Sequence, residues 1–197
     1  MGEAAAVAIL EEERRRICLL TRRGIGMPMA GFLFWIAMAL FVRTLPERAA
    51  MVYSFFATGA VFPFGVLFTR LAGGDLFLKS AVFTNLGLQL AILQLFFWPV
   101  IIIVFGTARP WTPYVMAVLF CSHFLPYNWL YRSRGYAFLA VATGAISTVA
   151  VIAARSSLYL WIPLIAAGCY AISVVMLWNE NRMDLAIRQA PLATRDS

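Results

Sequence analysis

Six long blocks of apolar residues divide this chain, and they constrain its fold more than any other feature. Crossing the hydrocarbon layer of a bilayer, roughly 30 Å thick, takes about 20 apolar residues in a helix. The blocks lie at residues 27–43, 50–69, 80–105, 113–131, 136–154 and 158–178. Because 62% of the 197 residues are hydrophobic and only 13% are charged, a water-soluble core could not enclose so much apolar surface. The sequence therefore predicts an all-α integral membrane bundle of about six transmembrane helices.

The basic residues are distributed unevenly between alternate loops. Twelve of the sixteen fall in the amino-terminal segment, the second and fourth loops and the carboxyl-terminal tail, and four fall elsewhere: Arg43, Arg48, Arg109 and Arg155. Short loops rich in arginine and lysine stay on the cytoplasmic side. We therefore expect a multi-pass protein of the cell (inner) membrane with both termini in the cytoplasm. The net charge of +7 then favours anionic membrane lipids as partners. Nucleic acid is not expected, because the basic residues form no single patch.

The amino-terminal segment has the pattern of an amphipathic helix. Two acid-to-base pairs at helical spacing support it, Glu11 with Arg14 and Glu12 with Arg16. Its apolar residues are expected to face the membrane interface, with the charges in water: Val7, Leu10, Ile17 and Leu20. No cleaved signal peptide is expected. The helix is interpreted as an interfacial anchor, with partner binding as the alternative. Three regions follow from this pattern: a cytoplasmic helix at 1–24, a six-span domain at 25–179 and a cytoplasmic tail at 180–197.

Ionisable residues are nearly absent from the blocks. All nine acidic residues lie outside them, and the chain has a single histidine and three cysteines without metal-ligand spacing. A carboxylate-driven pump, a paired-carboxylate hydrolase and a metal cluster therefore lack the residues they need. The sequence predicts no catalytic residues, no metal site and no cofactor.

His123, in the fourth block, is the one titratable group expected at membrane depth. It lies about ten residues, or roughly 15 Å, from the outer end of its block. Pro126 frees a backbone carbonyl beside it, and broken helices of this kind build sites in many transporters. Tyr127 shares its face, and Tyr131 continues that face towards the cytoplasm. The alternatives are a neutral histidine that locks the bundle and tyrosines in an ordinary interfacial belt.

Three amides in the third block are further candidates for a pathway or ligand-binding site. Asn85 and Gln89 share one face, whereas Gln94 faces the opposite way at a depth close to that of His123. A contact between Gln94 and His123 is therefore predicted. The alternative is that these amides only hold neighbouring helices together.

Two stretches of the chain carry a family resemblance: Gly26-Met-Pro-Met-Ala-Gly31-Phe-Leu-Phe-Trp35 and His123-Phe-Leu-Pro-Tyr-Asn-Trp129-Leu-Tyr131. Here the chain resembles an uncharacterised family of small multi-span bacterial membrane proteins, over most of its length from Gly26 to Trp178. The resemblance implies a bacterial inner-membrane protein and attaches no activity. It directs attention to the His-x-x-Pro-Tyr segment.

Three classes of function remain. The first is a small permease or channel-like protein for a small solute or proton, whose pathway passes His123. The second is an accessory or scaffold membrane protein that transports nothing and binds lipid or a partner subunit. A membrane enzyme acting on lipid headgroups ranks third, because no nucleophile or acid is evident. The residues do not define a substrate, a coupling ion or an oligomeric state, so a homo-oligomer and a complex with another membrane subunit both remain open.

Overall fold

The structure is a computed structural model that describes residues 2–77 and 83–193, with side chains for all of these except residues 83–85, 88, 91 and 186–193. Every regular element in this part of the chain is helical. The described residues form nine α-helices: α1 Glu3–Thr21, α2 Gly26–Thr44, α3 Glu47–Leu71, α4 Phe83–Leu93, α5 Trp98–Thr107, α6 Thr112–Ser122, α7 Leu125–Tyr131, α8 Arg134–Ala154 and α9 Ile162–Ala193. Short 3₁₀ segments lie at Arg22–Gly24, Gln94–Phe97 and Arg109–Trp111.

Four helical stretches of the described chain are long and apolar enough to cross a membrane. They are Glu3–Thr44, which contains α2, and Glu47–Leu71, Arg134–Ala154 and Ile162–Leu185. The all-helical fold is thereby confirmed, and the four apolar helices are compatible with a membrane protein. These stretches contain the first, second and fifth apolar blocks, and the sixth from residue 162 onward.

The third and fourth apolar blocks are built from shorter helices. The third is divided between α4, the 3₁₀ segment at Gln94–Phe97 and α5, and the fourth between α6 and α7. Pro99 and Pro126 lie in the first turns of α5 and α7. A proline is tolerated there because its missing N–H has no partner within the helix, so each proline marks where a new helix begins.

Helix α2 lies at the centre of the bundle, between α3 and α9. A Cβ added at Gly26 would fall on the backbone of Gly65 and Thr69 in α3, and the Gly26 N–H donates to Thr69 Oγ1 at 3.1 Å. Further along, a Cβ at Gly31 would overlap the ring of Tyr170 in α9. Small residues therefore set how closely these helices pack.

Contacts between distant residues define the end of the bundle that carries both terminal segments. The Asp75 N–H donates to the Leu20 carbonyl at 2.9 Å, and Asn181 Nδ2 donates to the Arg22 carbonyl at 3.0 Å. The Tyr131 carbonyl accepts from Arg23 Nε at 3.2 Å. The chain therefore returns to this terminal end after α3, after α7 and at the far part of α9.

A second set of contacts defines the opposite end. The Tyr159 hydroxyl donates to the Glu47 carbonyl at 3.3 Å, which joins the start of α3 to the loop between α8 and α9. Burial, with the Glu47 carboxylate nearby, raises the pKa of Tyr159 to about 12, and Arg109 opposes this shift.

The two terminal helices differ in part from the sequence expectation. Glu11 pairs with Arg14 at 2.6 Å as predicted, but Arg16 pairs with Glu13 at 3.1 Å and not with Glu12. Arg14 is buried and not in water, because its guanidinium lies 4.5 Å from the Trp129 ring centroid and donates to the Trp129 carbonyl. Of the four apolar residues expected at the interface, Ile17 is buried against the bundle, Leu10 is half-buried, and Val7 and Leu20 are exposed. Helix α9 continues past residue 179 to Ala193, so most of the predicted tail is helical.

Candidate functional site

His123 lies at the break between α6 and α7. Its Nδ1 is 2.5 Å from the Phe120 carbonyl oxygen, one turn earlier. A carbonyl only accepts, so this contact assigns the ring proton to Nδ1 in the neutral imidazole and leaves Nε2 as an acceptor. The ring centroid is 4.1 Å from that of Phe124, and the Tyr127 ring meets it edge-on at 6.2 Å. None of the residues that the structure describes donates a hydrogen bond to Nε2.

Four aromatic side chains, His123, Tyr127, Tyr131 and Tyr136, form what we call the aromatic row. The Tyr127 and Tyr131 rings stack with centroids 6.0 Å apart, and Tyr131 stacks on Tyr136 at 5.7 Å. Tyr131 and Tyr136 are buried. At the terminal end of the row, the Tyr136 hydroxyl donates to the Arg23 carbonyl at 2.6 Å. The row therefore extends from the helix break to the terminal end of the bundle.

Two of the three amide candidates of the third block, Gln89 and Gln94, form no hydrogen bond with His123 in the described structure. Gln89 is exposed in α4, and Gln94 is half-buried at the start of a 3₁₀ segment. Within the described part of the chain no hydrogen bond joins either to His123. The backbone of Asn85 belongs to α4, but its side chain lies outside the described residues. Contact with α4 comes instead from the Tyr127 hydroxyl, which donates to the Gly87 carbonyl at 3.4 Å.

A buried charged centre, which we call the Arg23 cluster, closes the terminal end. It consists of Arg23, Glu180, Asn181 and Asp184. Arg23 Nη1 lies 2.7 Å from Asp184 Oδ2 and donates to Asn181 Oδ1 at 3.0 Å, and Arg23 Nε lies 3.6 Å from Glu180 Oε2. Only 8% of the Arg23 side chain is exposed. A buried cation is stable only when paired and hydrogen-bonded in this way, so the cluster fixes α9 against the junction between α1 and α2.

The backbone around Arg23 has an unusual conformation. Arg22, Arg23 and Gly24 have φ values of 50°, 50° and 59°. Left-handed backbone costs about 1–2 kcal/mol for each residue with a Cβ. This turn directs the Arg23 side chain into the bundle, where its ion pairs offset that cost.

Helix α8 completes the cluster through its first turn. The Ser133 hydroxyl caps the helix by accepting from the Tyr136 N–H at 3.3 Å. The Gly135 N–H, one residue earlier in the same turn, donates to Glu180 Oε1 at 3.1 Å. Ser173 in turn donates to the Gly135 carbonyl at 2.9 Å. The start of α8 therefore orients the carboxylate that faces Arg23.

Sequence reasoning missed the Arg23 cluster. Arg23 looked like one of several orientation-setting charges, and Glu180 and Asp184 were excluded because they lie beyond the last apolar block. One signal was present: Glu180, Asn181 and Asp184 lie within about one turn of a helix that follows an apolar span. An acidic turn of this kind needs a cation when it packs against the bundle.

The site contains little reactive chemistry beyond His123. Among the described residues, no group of three His, Cys, Asp or Glu side chains is placed to hold a metal ion. Cys18, Cys121 and Cys169 are free and buried, and Cys18 donates to the Tyr131 carbonyl at 3.2 Å. The arrangement can accept a proton at His123 Nε2 and offers a series of phenol hydroxyls beside it.

Comparison with known proteins gives a family without an activity. No curated protein and no solved structure matches the chain. A family model described as a family of unknown function matches residues 10–180. The match covers both the aromatic row and Arg23, and it extends beyond the stretch on which the resemblance was noted. The chain belongs to this family of unknown function, DUF7010.

Proposed function

We propose that this protein is a six-pass bacterial inner-membrane protein with both termini in the cytoplasm, and that it acts as a small permease or channel-like protein for a proton or small solute. Six crossings are supported by the alternation of contacts between the two ends. Leu20, Tyr131 and Asn181 meet at the terminal end, whereas Glu47 and Tyr159 meet at the other. The excess of arginine in the segments at the terminal end supports its cytoplasmic placement.

The aromatic row is the observation that carries this proposal. Its only titratable nitrogen, His123 Nε2, lies beside a helix break, and its last hydroxyl, that of Tyr136, bonds the backbone of the Arg23 cluster. A histidine can exchange a proton near neutral pH, and phenol hydroxyls can both donate and accept. The row thus provides a polar line through otherwise apolar helices. Ring centroids 5.7–6.2 Å apart are those of rings in contact, so the row favours a proton over a solute that needs an open passage between the rings.

A different observation favours a second function, that of an accessory or scaffold protein without transport. His123 Nδ1 is already satisfied by the Phe120 carbonyl, and its ring packs on Phe124. A histidine held in this way stabilises a helix break without exchanging protons. In this second proposal the exposed apolar faces, such as that of α3 with Phe56 79% exposed, contact lipid or a partner subunit.

Flux measurements on reconstituted protein separate the two proposals. Full-length protein is placed in liposomes that contain a pH-sensitive dye, and proton flux is recorded after a pH step. We expect His123→Ala to abolish pH-dependent flux and Tyr127→Phe to reduce it. Tyr114→Phe is the matched control, because this tyrosine lies on α6 outside the row and bonds Thr148 at 3.1 Å. Undiminished flux in the His123→Ala protein refutes the pathway, and a wild type without flux favours the accessory function.

Topology is tested separately. A reporter that is active only outside the cytoplasm is inserted in the loop between α2 and α3, at residues 45–46. The proposal expects activity there and none for the same reporter fused after Ser197. Activity with the opposite pattern overturns the assigned orientation.

A further inference from the structure

An apolar groove opens between α2, α3 and α9 at a distance from the aromatic row. Its volume is about 340 Å³, within the range of about 300–1,000 Å³ typical of ligand sites. Six apolar side chains line it: Met29, Phe32, Leu33, Phe68, Ala171 and Val174. Met29 lies in the first turn of α2, so the groove begins within about 5 Å of the terminal end along that helix. A hydrocarbon chain is the occupant that such a lining accepts.

Arg22 lies at the terminal end of this groove. Its carbonyl accepts from Asn181 of α9, and its side chain runs over Gly73 and Gly74, which follow α3. It therefore bridges the two helices that form the groove walls. Its Nε is buried, and none of the described residues accepts a hydrogen bond from its guanidinium or forms an ion pair with it. A guanidinium without a partner among the described residues favours an anionic ligand at this position.

None of the described carboxylates near Arg22 forms an ion pair with it. Glu180 and Asp184 are both engaged by Arg23. Asp75, in the loop after α3, accepts from the Phe77 N–H of its own turn at 3.0 Å. A second cation, Arg182, is exposed nearby on α9.

One face of α9 joins the groove to this positive end. Ala171, Val174, Trp178 and Arg182 follow one another at helical spacing on that face. Trp178 is 51% exposed, as expected for an indole at the headgroup level. From the groove outward the face is therefore apolar, then aromatic, then cationic, which is the order of an acyl chain, a glycerol region and a phosphate.

We infer that this groove binds one anionic phospholipid, with an acyl chain along Met29, Phe68 and Val174 and the phosphate at Arg22 and Arg182. The inference concerns a site other than the aromatic row and does not depend on transport. Zwitterionic lipids carry the same acyl chains, so specificity arises from the headgroup, whose net negative charge the two arginines favour.

The test measures lipid retained by purified full-length protein. Protein is equilibrated with micelles that contain phosphatidylglycerol or phosphatidylcholine of identical chains, and bound lipid is counted by native mass spectrometry. We expect the wild type to retain one phosphatidylglycerol about tenfold more strongly than phosphatidylcholine, because both lipids carry the phosphate but only phosphatidylcholine carries a choline cation, which the two arginines repel. Arg22→Gln should reduce this preference to near unity, and Val174→Trp should displace both lipids by filling the groove.

Two matched controls accompany these variants. Arg155, like Arg22, is the C-cap of a helix and has left-handed backbone, with φ of 47°. Arg155→Gln should leave lipid retention unchanged. Val175→Trp places the same indole on the neighbouring, 60% exposed position outside the groove and should also have no effect. If Arg22→Gln fails to fold, Arg182→Gln tests the same headgroup preference. Equal retention of the two lipids by the wild type, or retention that survives Val174→Trp, overturns the inference.

Discussion

The ion pairs of Arg23 give the strongest prediction about stability. Replacing Arg23 by Gln leaves Glu180 and Asp184 without their cation while keeping an unbranched side chain in the same left-handed backbone. Removing one partner of a buried ion pair costs about 3–5 kcal/mol. Because 29% of the Asp184 side chain is exposed, we expect the lower end of this range, about 3 kcal/mol.

The consequence is measurable as a shift of the melting temperature. For a chain of this length, a loss of about 3 kcal/mol lowers Tm by about 6–12 °C. The free, buried thiols of Cys18, Cys121 and Cys169 allow unfolding in detergent to be followed with a maleimide dye that fluoresces on reaction. Arg15→Gln is the matched control, since Arg15 is exposed on the preceding helix, and its effect should stay within about 0.5 kcal/mol.

A double-mutant cycle tests the cause of the loss. Asp184→Asn alone should also lower the free energy of unfolding. The double variant, Arg23→Gln with Asp184→Asn, should lose less stability than the sum of the losses in the two single variants. The difference measures the coupling, which for contacting charges is about 0.5–3 kcal/mol. Additive losses, or an Arg23→Gln protein that melts with the wild type, would refute the assignment of Arg23 as the centre of this junction.

Three further variants test packing, capping and the end of the aromatic row, each by the same melting assay. Gly26→Ala should lower the free energy of unfolding by about 1–3 kcal/mol, because the added Cβ would meet the backbone of α3. Gly59→Ala, where the added Cβ meets nothing, should leave stability unchanged or raise it by up to about 1 kcal/mol. Equal effects of the two variants would contradict the close packing at Gly26. Ser133→Ala should cost about 1 kcal/mol through loss of the α8 cap, and Ser133→Asp should retain most of it. Tyr136→Phe should cost about 1–3 kcal/mol because the Arg23 carbonyl loses its buried donor, and an unchanged Tm would show that this hydrogen bond contributes little.

The spans that the sequence located correctly are those in which hydrophobicity alone determines the helix. The blocks at 50–69 and 136–154 lie inside Glu47–Leu71 and Arg134–Ala154. In an apolar environment, the backbone N–H and C=O groups of about 20 consecutive residues find hydrogen-bond partners within one continuous helix. Pro63 does not divide α3. Proline position alone therefore does not decide whether a block is broken.

The contacts of the candidate site were only partly accessible from sequence. Helical spacing brought His123, Tyr127 and Tyr131 to one face, because residues on one helix have a fixed angular relation. Tyr136 lies on the next helix, and its place beside Tyr131 depends on the turn at Ser133. The partner of Gln94 depends on the rotation of one helix against another, which spacing within a single helix does not determine. The acidic turn that contains Glu180 indicates that a cation is needed, but no local pattern identifies Arg23, 157 residues earlier in the chain, as that cation.

The Arg23 cluster also constrains the order in which the polypeptide assembles during synthesis. Arg23 leaves the ribosome 108 residues before Tyr131 and 158 residues before Asn181, both of which it contacts in the finished protein. Helix α1 therefore lacks its contacts with α7 until Tyr131 has been made, and its contacts with α9 until later still, whereas domains otherwise tend to fold from the amino terminus first. A nascent chain arrested before α7 should expose its first 21 residues to added protease, whereas the released protein should protect them where they contact α7.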